Sequence, residues 1–139
     1  MSELDKILKY LEKEGYTFLI RDDYLIIPWK FGDLKFHITV NFKPNTKWVV
    51  VAALIASFDE IPDDAELDLY RQLLIANHDL PEINYEIDHD GNVLCSVDMD
   101  KEIINYENFF SEFNAIPYGI KYFLEKIAPL LKINVSGRE

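Results

Sequence analysis

Three histidines are the side chains of this sequence best suited to metal binding or acid–base chemistry. They are His37, His78 and His89, on a predicted strand, at the end of a predicted helix and in a predicted turn. No two of them stand four residues apart, the helical spacing that brings two imidazoles to one metal ion. We therefore predict no metal site and expect His37 to stand on the face formed by the odd-numbered residues of its strand, as part of an interaction surface.

A calcium loop is the second candidate for chemistry. Asp88, Asp90 and Asn92 match the first three ligand positions of such a loop. The glycine that the loop requires is replaced by Val93, and its bidentate glutamate by Met99. The Asp-Gly pair in the same segment is instead typical of a tight turn between two strands. The sequence therefore predicts a hairpin here.

Nucleophilic and carboxylate chemistry have equally little support. Cys95, the only cysteine, lies in an alternating strand pattern with no Lys, Arg or His nearby in sequence, so we predict a buried structural thiol. The carboxylates of residues 59–68 crowd a predicted helix N-terminus, where the backbone dipoles favour negative charge. There is no Gly-rich phosphate loop and no Gly-x-Ser-x-Gly motif. We expect no enzyme activity, no catalytic residue and no cofactor.

Composition narrows the class of protein further. A chain of 139 residues fits one domain, which we predict over residues 1–135, with a disordered tail over 136–139. The longest apolar run has nine residues, too few to cross a bilayer, and there is no secretion signal, so we expect a cytoplasmic protein. A net charge of −11 would repel a phosphate backbone, which argues against nucleic acid. A basic protein or peptide partner is compatible with this charge.

The predicted fold is organised around Trp48–Ala56, nine apolar residues with the composition of a strand buried on both faces. Residues 34–43 alternate between apolar and polar types, as in a half-buried strand, and Pro44-Asn45-Thr46 has the chemistry of a connecting turn. If Phe42 lies opposite Trp48, the even-numbered residues of both strands share one face. The other face then carries the odd-numbered residues Val49, Val51, Ala53 and Ile55.

This odd face needs a cover, because large contiguous apolar patches are rarely open to water on a monomer. A partner chain or bound segment is the favoured cover, and a second layer of the same chain is the alternative. A helix predicted over residues 64–77 also has an apolar arc wider than a helix lying on a sheet requires, with Leu67, Tyr70 and Leu74 on one stripe and Leu69, Leu73 and Ala76 on another. This width indicates either a second contact surface or a groove in the same domain. The predicted partner or dimer interface comprises Val49, Val51, Ala53, Ile55, His37, Leu69 and Leu73.

The remaining patterns complete an α+β fold. Ser2 and Gly15 are placed to begin and end an N-terminal helix, and Asp22-Asp23 suits a turn between two short strands. A capping box is predicted at Asp63 and Glu66, before the middle helix. A long C-terminal helix, bent near Pro117, follows the second hairpin. The predicted order is α-β-β-β-β-α-β-β-α, with an antiparallel sheet.

Two segments carry a resemblance to a known family: LLIANHDLP over residues 73–81 and IDHDGNV over residues 87–93. With the predicted order of elements, they resemble the YbjN family, of the type III secretion chaperone-like fold. Its Leu-Leu-x-x-Asn helix core is matched by Leu73, Leu74 and Asn77, and an acidic Asp-Gly turn follows between two strands. The resemblance implies an α+β domain that commonly dimerises and, in the secretion chaperones, holds an unfolded client against apolar surface. It implies no catalytic residue.

Three functions are compatible with these patterns. The favoured one is a non-catalytic, chaperone-like or regulatory module that acts as a homodimer and binds a protein or peptide partner. The alternative is a small-molecule sensor or enzyme, with a pocket between the sheet and the C-terminal helix that is lined by Trp29, Trp48 or Phe109. The third is a structural subunit of a larger assembly.

Overall fold

A computed structural model describes residues 2–138 as one antiparallel six-stranded sheet with helices. The strand order is β1-β2-β3-β4-β6-β5, which confirms the predicted α+β class and antiparallel sheet. The strands are β1 (Leu19–Arg21), β2 (Tyr24–Phe31), β3 (Leu34–Phe42), β4 (Trp48–Ala56), β5 (Asn84–Ile87) and β6 (Val93–Asp100). The helices are α1 (Glu3–Lys13), α2 (Glu66–Asp79), α3 (Tyr106–Phe113), α4 (Ala115–Tyr122) and α5 (Ala128–Leu131).

The helices at the two ends of the chain pack on one face of the sheet, which we call the core face. Phe109 and Phe113 of α3 stack at 5.7 Å between ring centroids, and Tyr10 of α1 meets Phe109 at 6.1 Å. Phe109 and Phe113 belong to the buried core cluster with Ile116 and Ile120 of α4, and the partly buried Tyr10 packs against this cluster. No helix within residues 2–138 combines the length and apolar character that crossing a bilayer requires.

The C-terminal helical region is interrupted where the sequence predicts a bend. Helix α3 ends before Asn114, and Pro117 then lies in the first turn of α4. A proline is tolerated there because its missing N–H would have no partner within the helix. A π-helical stretch, Phe123–Ile127, joins α4 to α5.

The predicted register between β3 and β4 is wrong by one residue. Phe42 lies opposite Val49, Val40 opposite Val51 and Ile38 opposite Ala53. The turn explains the shift, because the Thr46 hydroxyl accepts a hydrogen bond from the Trp48 N–H at 3.2 Å and donates one to the Lys43 carbonyl at 2.9 Å. Trp48 is thus tied to the turn residue Thr46, and the pairing of β4 with β3 begins at Val49.

A shift of one residue moves every side chain of a strand to the opposite face. The odd-numbered residues of β4 therefore lie on the core face, where Val49, Val51, Ala53 and Ile55 are each 2% exposed or less. The prediction that this face needs a partner is wrong. Its cover is the alternative, a second layer of the same chain, and the even-numbered residues face outward instead.

Local capping follows the sequence at one helix and departs from it at another. The Ser2 hydroxyl accepts a hydrogen bond from the Asp5 N–H at 3.2 Å, as predicted for the start of α1. The predicted capping box at Asp63 and Glu66 does not form, because Asp63–Ala65 is a 3₁₀ turn that leads directly into α2. Glu60 instead accepts a hydrogen bond from the Ser57 N–H at 2.8 Å, in the preceding 3₁₀ turn.

The end of the chain differs from the predicted disordered tail over residues 136–139. The Ser136 N–H and the Arg138 guanidinium both donate hydrogen bonds to Glu60, at 2.6 Å and 2.9 Å. Gly137 is buried between them. These residues are therefore fastened to the fold, and Glu139 lies outside the described residues.

Candidate protein-interaction site

The side chains that could bind a metal ion or take part in catalysis lie apart from one another. Within residues 2–138, no group of three or more His, Cys, Asp or Glu side chains could hold a metal ion. The carboxylate of Asp88 accepts hydrogen bonds from the N–H groups of Asp90 and Asn92, both at 2.9 Å. These bonds and the side-chain amide of Asn92 lower the pKa of Asp88. The segment that resembles a calcium loop is thus used to build the hairpin turn.

Cys95 lies in the interior, as its strand pattern predicts. It is fully buried, and its Sγ is 3.8 Å from the carbonyl oxygen of Ile116. Burial raises the pKa of the Cys95 thiol well above its ordinary value, with a smaller contribution from Glu86. Because the thiolate is the nucleophilic form, this cysteine is inert at neutral pH.

The first candidate surface is the outward side of the sheet, which we call the open face. Burial alternates along β3 and β4, and the residues on this side are only half-buried or exposed. A depression of about 400 Å³ lies on it, with apolar Leu54 and Leu94 beside polar His37 and Thr39. The centre of the open face comprises His37, Thr39 and Asn41 of β3, Val50, Ala52 and Leu54 of β4, and the half-buried Leu94 and buried Ser96 of β6.

The second candidate surface, which we call the helix patch, is the outer side of α2 with the adjoining edge of the sheet. Leu67 and Leu74 are 71% and 69% exposed, which is unusual for leucines only seven residues apart on one helix. A shallow depression of about 260 Å³ lies between α2 and β5. The helix patch comprises Leu67, Tyr70, Leu74, Ile75 and Ile87.

Asn77 positions this patch on the sheet. Its side chain accepts a hydrogen bond from the Tyr85 N–H at 2.8 Å and donates one to the Tyr85 carbonyl at 3.2 Å. The amide thereby pairs with the edge strand β5 as a backbone would. Leu73 is buried beneath α2, whereas Leu74 points outward. The Leu-Leu-x-x-Asn motif thus supplies one core residue, one surface residue and one fastening to the sheet.

Of the seven predicted interface residues, only His37 lies on a surface. Val49, Val51, Ala53 and Ile55 are in the core through the register shift, and Leu69 and Leu73 form the buried stripe of α2. The reasoning from sequence missed Val50, Ala52 and Leu54 because it placed them on the covered side. It did identify the stripe that is exposed, Leu67, Tyr70 and Leu74, as one of two apolar sides of the helix.

The predicted small-molecule pocket has a partial counterpart between the sheet and α3, which is lined by Trp48 but not by Trp29 or Phe109. Phe109 is fully buried, and Trp29 packs in an aromatic cluster with Tyr16 and Phe113. Trp48 lines a depression of about 320 Å³ near three carboxylates, those of Asp98, Asp100 and Glu112. The ammonium group of Lys47 already lies 4.7 Å from the centre of the Trp48 ring and 3.8 Å from the carboxylate of Asp100. A cation of the chain itself therefore already lies against the Trp48 ring.

No protein-family model matches this chain, and no curated protein sequence matches it significantly. Solved structures do. YbjN, a proposed transcription regulator from E. coli, aligns over 94% of this chain and 93% of its own with a TM-score of 0.70 and 14% identity. The chain has a YbjN-like, type III secretion chaperone-like fold.

Two complexes extend this likeness. A chain of the ExoU–SpcU heterodimeric complex, from the type III secretion system of Pseudomonas aeruginosa, aligns over 89% of this chain and 96% of its own, with a TM-score of 0.61 and 12% identity. A chain of the HopA1–SchA chaperone–effector complex aligns over 85% of this chain and 89% of its own, with a TM-score of 0.57 and 10% identity. At these identities the YbjN-like and chaperone-like likeness concerns the fold.

Proposed function

We propose that this protein is a non-catalytic, chaperone-like module of the cytoplasm that acts as a homodimer and binds a protein or peptide partner. The observation that carries this proposal is the presence of two separate surfaces with exposed apolar side chains, the helix patch and the open face. Two structures with similar folds are complexes with protein partners, one of them a chaperone with its effector.

The helix patch is the better surface for self-association. Its five defining side chains are aliphatic or aromatic and surround the exposed Arg71, and homodimer interfaces are more apolar than other interfaces. A helix can also pack against its own copy across a two-fold axis, so that a single stripe of leucines supplies both sides of the interface. A stable interface of this kind buries about 1,200 Å² or more in total.

The open face is the better surface for a partner. It combines apolar Val50 and Leu54 with hydrogen-bonding groups on His37 and Asn41, and so suits a segment with alternating side chains. The net charge of −11 favours a basic segment, since opposite charge accelerates encounter. The open face remains accessible when α2 packs against its copy, because α2 lies beside the edge strand β5.

Substitution of the helix patch tests the homodimer. We expect the wild-type chain to sediment as a dimer at micromolar concentration and Leu74→Asp to sediment as a monomer, because the aspartate would be desolvated in the interface. Leu130→Asp is the matched control, since Leu130 is 62% exposed on α5, outside the helix patch. This control variant should remain a dimer. A wild-type monomer, or a dimer that Leu74→Asp leaves intact, would refute the assignment.

Substitution of the open face tests partner binding. An array of immobilised peptides with varied charge and apolar content supplies the probes, and the bound protein is detected on each spot. We expect binding to basic, apolar peptides to be lost in Leu54→Asp and retained in Leu130→Asp. Equal binding by both variants would exclude the open face as the partner surface.

A further inference from the structure

Strands β3 and β4 separate at one end of the open face. Their pairing runs from Phe42 and Val49 to Ile38 and Ala53 and stops there, although β3 begins at Leu34 and β4 continues to Ala56. Next to this end, the pairing of β4 with β6 is irregular at Ile55, as at a β-bulge, which bends a strand away from its neighbour. A cleft therefore opens between the Lys35 and Ile55 backbones.

The chain fills this cleft with the segment that follows α5, residues 134–138, which we call the strap. The Arg138 N–H donates a hydrogen bond to the Lys35 carbonyl of β3. The Arg138 guanidinium donates to the Ile55 carbonyl of β4 at 3.4 Å and to the Glu60 carboxylate at 2.9 Å. One residue of the strap thus contacts both separated strands and an anionic group beside them.

The strap fits closely at Gly137, whereas Arg138 keeps one donor without a partner within residues 2–138. Gly137 has a φ of 80°, and a Cβ atom there would lie 2.8 Å from the Lys35 carbonyl oxygen and 3.0 Å from its nitrogen. Arg138 Nε is buried and has no hydrogen-bond partner in the described residues. The cleft therefore admits a closely fitting backbone and a guanidinium, yet the chain's own arginine leaves one donor unsatisfied in the described residues.

The anionic group in the cleft is built for a cation. Burial raises the pKa of Glu60, but hydrogen bonds from the Ser57 N–H, Arg138 and the Ser136 N–H outweigh burial and lower the pKa to about 2. Glu60 is therefore ionised at neutral pH, and the cation and the N–H donors around it stabilise its charge. Arg138 also borders the depression of about 400 Å³ on the open face, so the cleft and the proposed partner surface are continuous.

We propose that this cleft receives an extended, arginine-containing segment of the partner, and that the strap occupies the cleft until that segment displaces it. The inference rests on the proposed partner binding at the open face and specifies the chemistry of the partner. The incoming arginine takes over the contacts of Arg138 with Glu60 and with the two strand carbonyls, so hydrogen bonds are exchanged and not lost. A strap that competes in this way weakens partner binding, because the apparent Kd equals the intrinsic Kd divided by the fraction of molecules in which the cleft is open.

The test uses the strap sequence, preceded by Ile133, as the probe. An amidated peptide INVSGR is titrated to millimolar concentration into the isotope-labelled full chain, and amide chemical shifts of residues 35–37 and 54–57 are followed. In Gly137→Val the added side chain meets the Lys35 backbone and expels the strap. We expect the peptide to bind Gly137→Val about tenfold more tightly than the wild type. A peptide with glutamine in place of its arginine should bind Gly137→Val about tenfold more weakly than INVSGR.

Gly15→Val is the matched control. Gly15 has a similar φ of 78°, but nothing lies within 4 Å of an added Cβ, and it ends α1 far along the chain from the strap. This variant should bind the peptide as the wild type does. If Gly137→Val does not fold, Arg138→Ala replaces it, because it frees Glu60 without adding bulk.

Two results would overturn the inference: equal affinity in the wild type and the strap variant, or no shift in the strap variant at millimolar peptide. Either result would leave the proposed function standing if Leu74→Asp still yields a monomer and Leu54→Asp still loses peptide-array binding. The proposed function would instead be refuted if Leu74→Asp remained a dimer and Leu54→Asp kept its binding to the peptide array, while the strap peptide still bound Gly137→Val more tightly.

Discussion

Strand β4 has two faces of similar apolar content, and only one of them lies in the core. Val49, Val51 and Ile55 are fully buried beneath the helices, whereas Val50, Ala52 and Leu54 on the other face are only half-buried. From amino-acid composition alone, both faces of β4 would be predicted to be buried. The difference shows that the turn before β4, and not the hydrophobicity of β4, decides which side the chain covers by itself.

The two faces also differ in how they are fastened. The core face is held by close packing of aliphatic and aromatic side chains, from β4 to Phe109 and Ile116. The end of the open face is held by a few polar contacts around Glu60. Packing in the core resists change, while an ion pair with hydrogen bonds can be exchanged for equivalent ones. This contrast is what makes the open face the adaptable side.

The largest effect is expected from placing the same polar residue on each face. Val51→Asn buries an amide among apolar side chains without partners, so we expect it to lower the free energy of unfolding by about 4 kcal/mol or more. Val50→Asn, on the neighbouring half-buried position, should cost less than about 1 kcal/mol. Urea denaturation followed by circular dichroism measures both values. Similar losses in the two variants would show that the faces are not different.

An intermediate effect is expected at Glu60, which fastens the strap. Glu60→Gln removes the charge that Arg138 and the two N–H donors stabilise, so we expect a loss of about 1–2 kcal/mol at pH 7. The folded pKa of about 2 lies below the ordinary value of 4.5, so the carboxylate stabilises the protein at neutral pH. That stabilisation is lost as the pH falls from about 4.5 to about 2.

The measurement is the free energy of unfolding at several pH values for both proteins. The wild type and Glu60→Gln should converge in stability as the pH falls through this window. Curves that stay parallel would show that Glu60 has the same pKa in the folded and unfolded chains. Glu107→Gln is a suitable control, since this exposed carboxylate lies in α3, away from the strap.

Features set by interactions between residues close together in the sequence could be predicted, whereas features set by contacts between distant residues could not. The class of each element, the Asp-Gly hairpin and the Ser2 cap follow from local patterns, and the structure bears them out. The register did not follow, since it also depends on a distant residue: the ammonium group of Lys101 donates hydrogen bonds to the carbonyls of Lys43 and Thr46, at 2.9 Å and 2.8 Å. A contact across more than fifty residues leaves no periodic pattern.

The same limit applies to the candidate site. The exposed stripe of α2 could be read from helical spacing, and the helix patch agrees with it. The open face could not, because an error of one residue in a turn inverts a whole strand. The strap could not be predicted either. Gly137 and Arg138 have the composition of a disordered segment, and their ordered structure comes from contacts with Glu60, which is far away in the sequence.

The smallest effect is expected at Thr46, the residue whose hydroxyl sets the register. Thr46→Val keeps the shape of the side chain but removes both hydrogen bonds of the turn, to the Trp48 N–H and the Lys43 carbonyl. Since the site is exposed, water replaces part of what is lost, and Lys101 still holds the loop. We expect a loss of about 0.5–1 kcal/mol in the free energy of unfolding, measured in urea.

Thr46→Ser is the matched variant, because it retains the hydroxyl and loses only a methyl group. It should be more stable than Thr46→Val. If the valine and serine variants are equally stable, the hydroxyl does not hold the turn, and the pairing of β3 with β4 must be set by Lys101 and by packing on the core face. The distinction matters for the open face, because whatever fixes this turn also decides which residues of β4 a partner can reach.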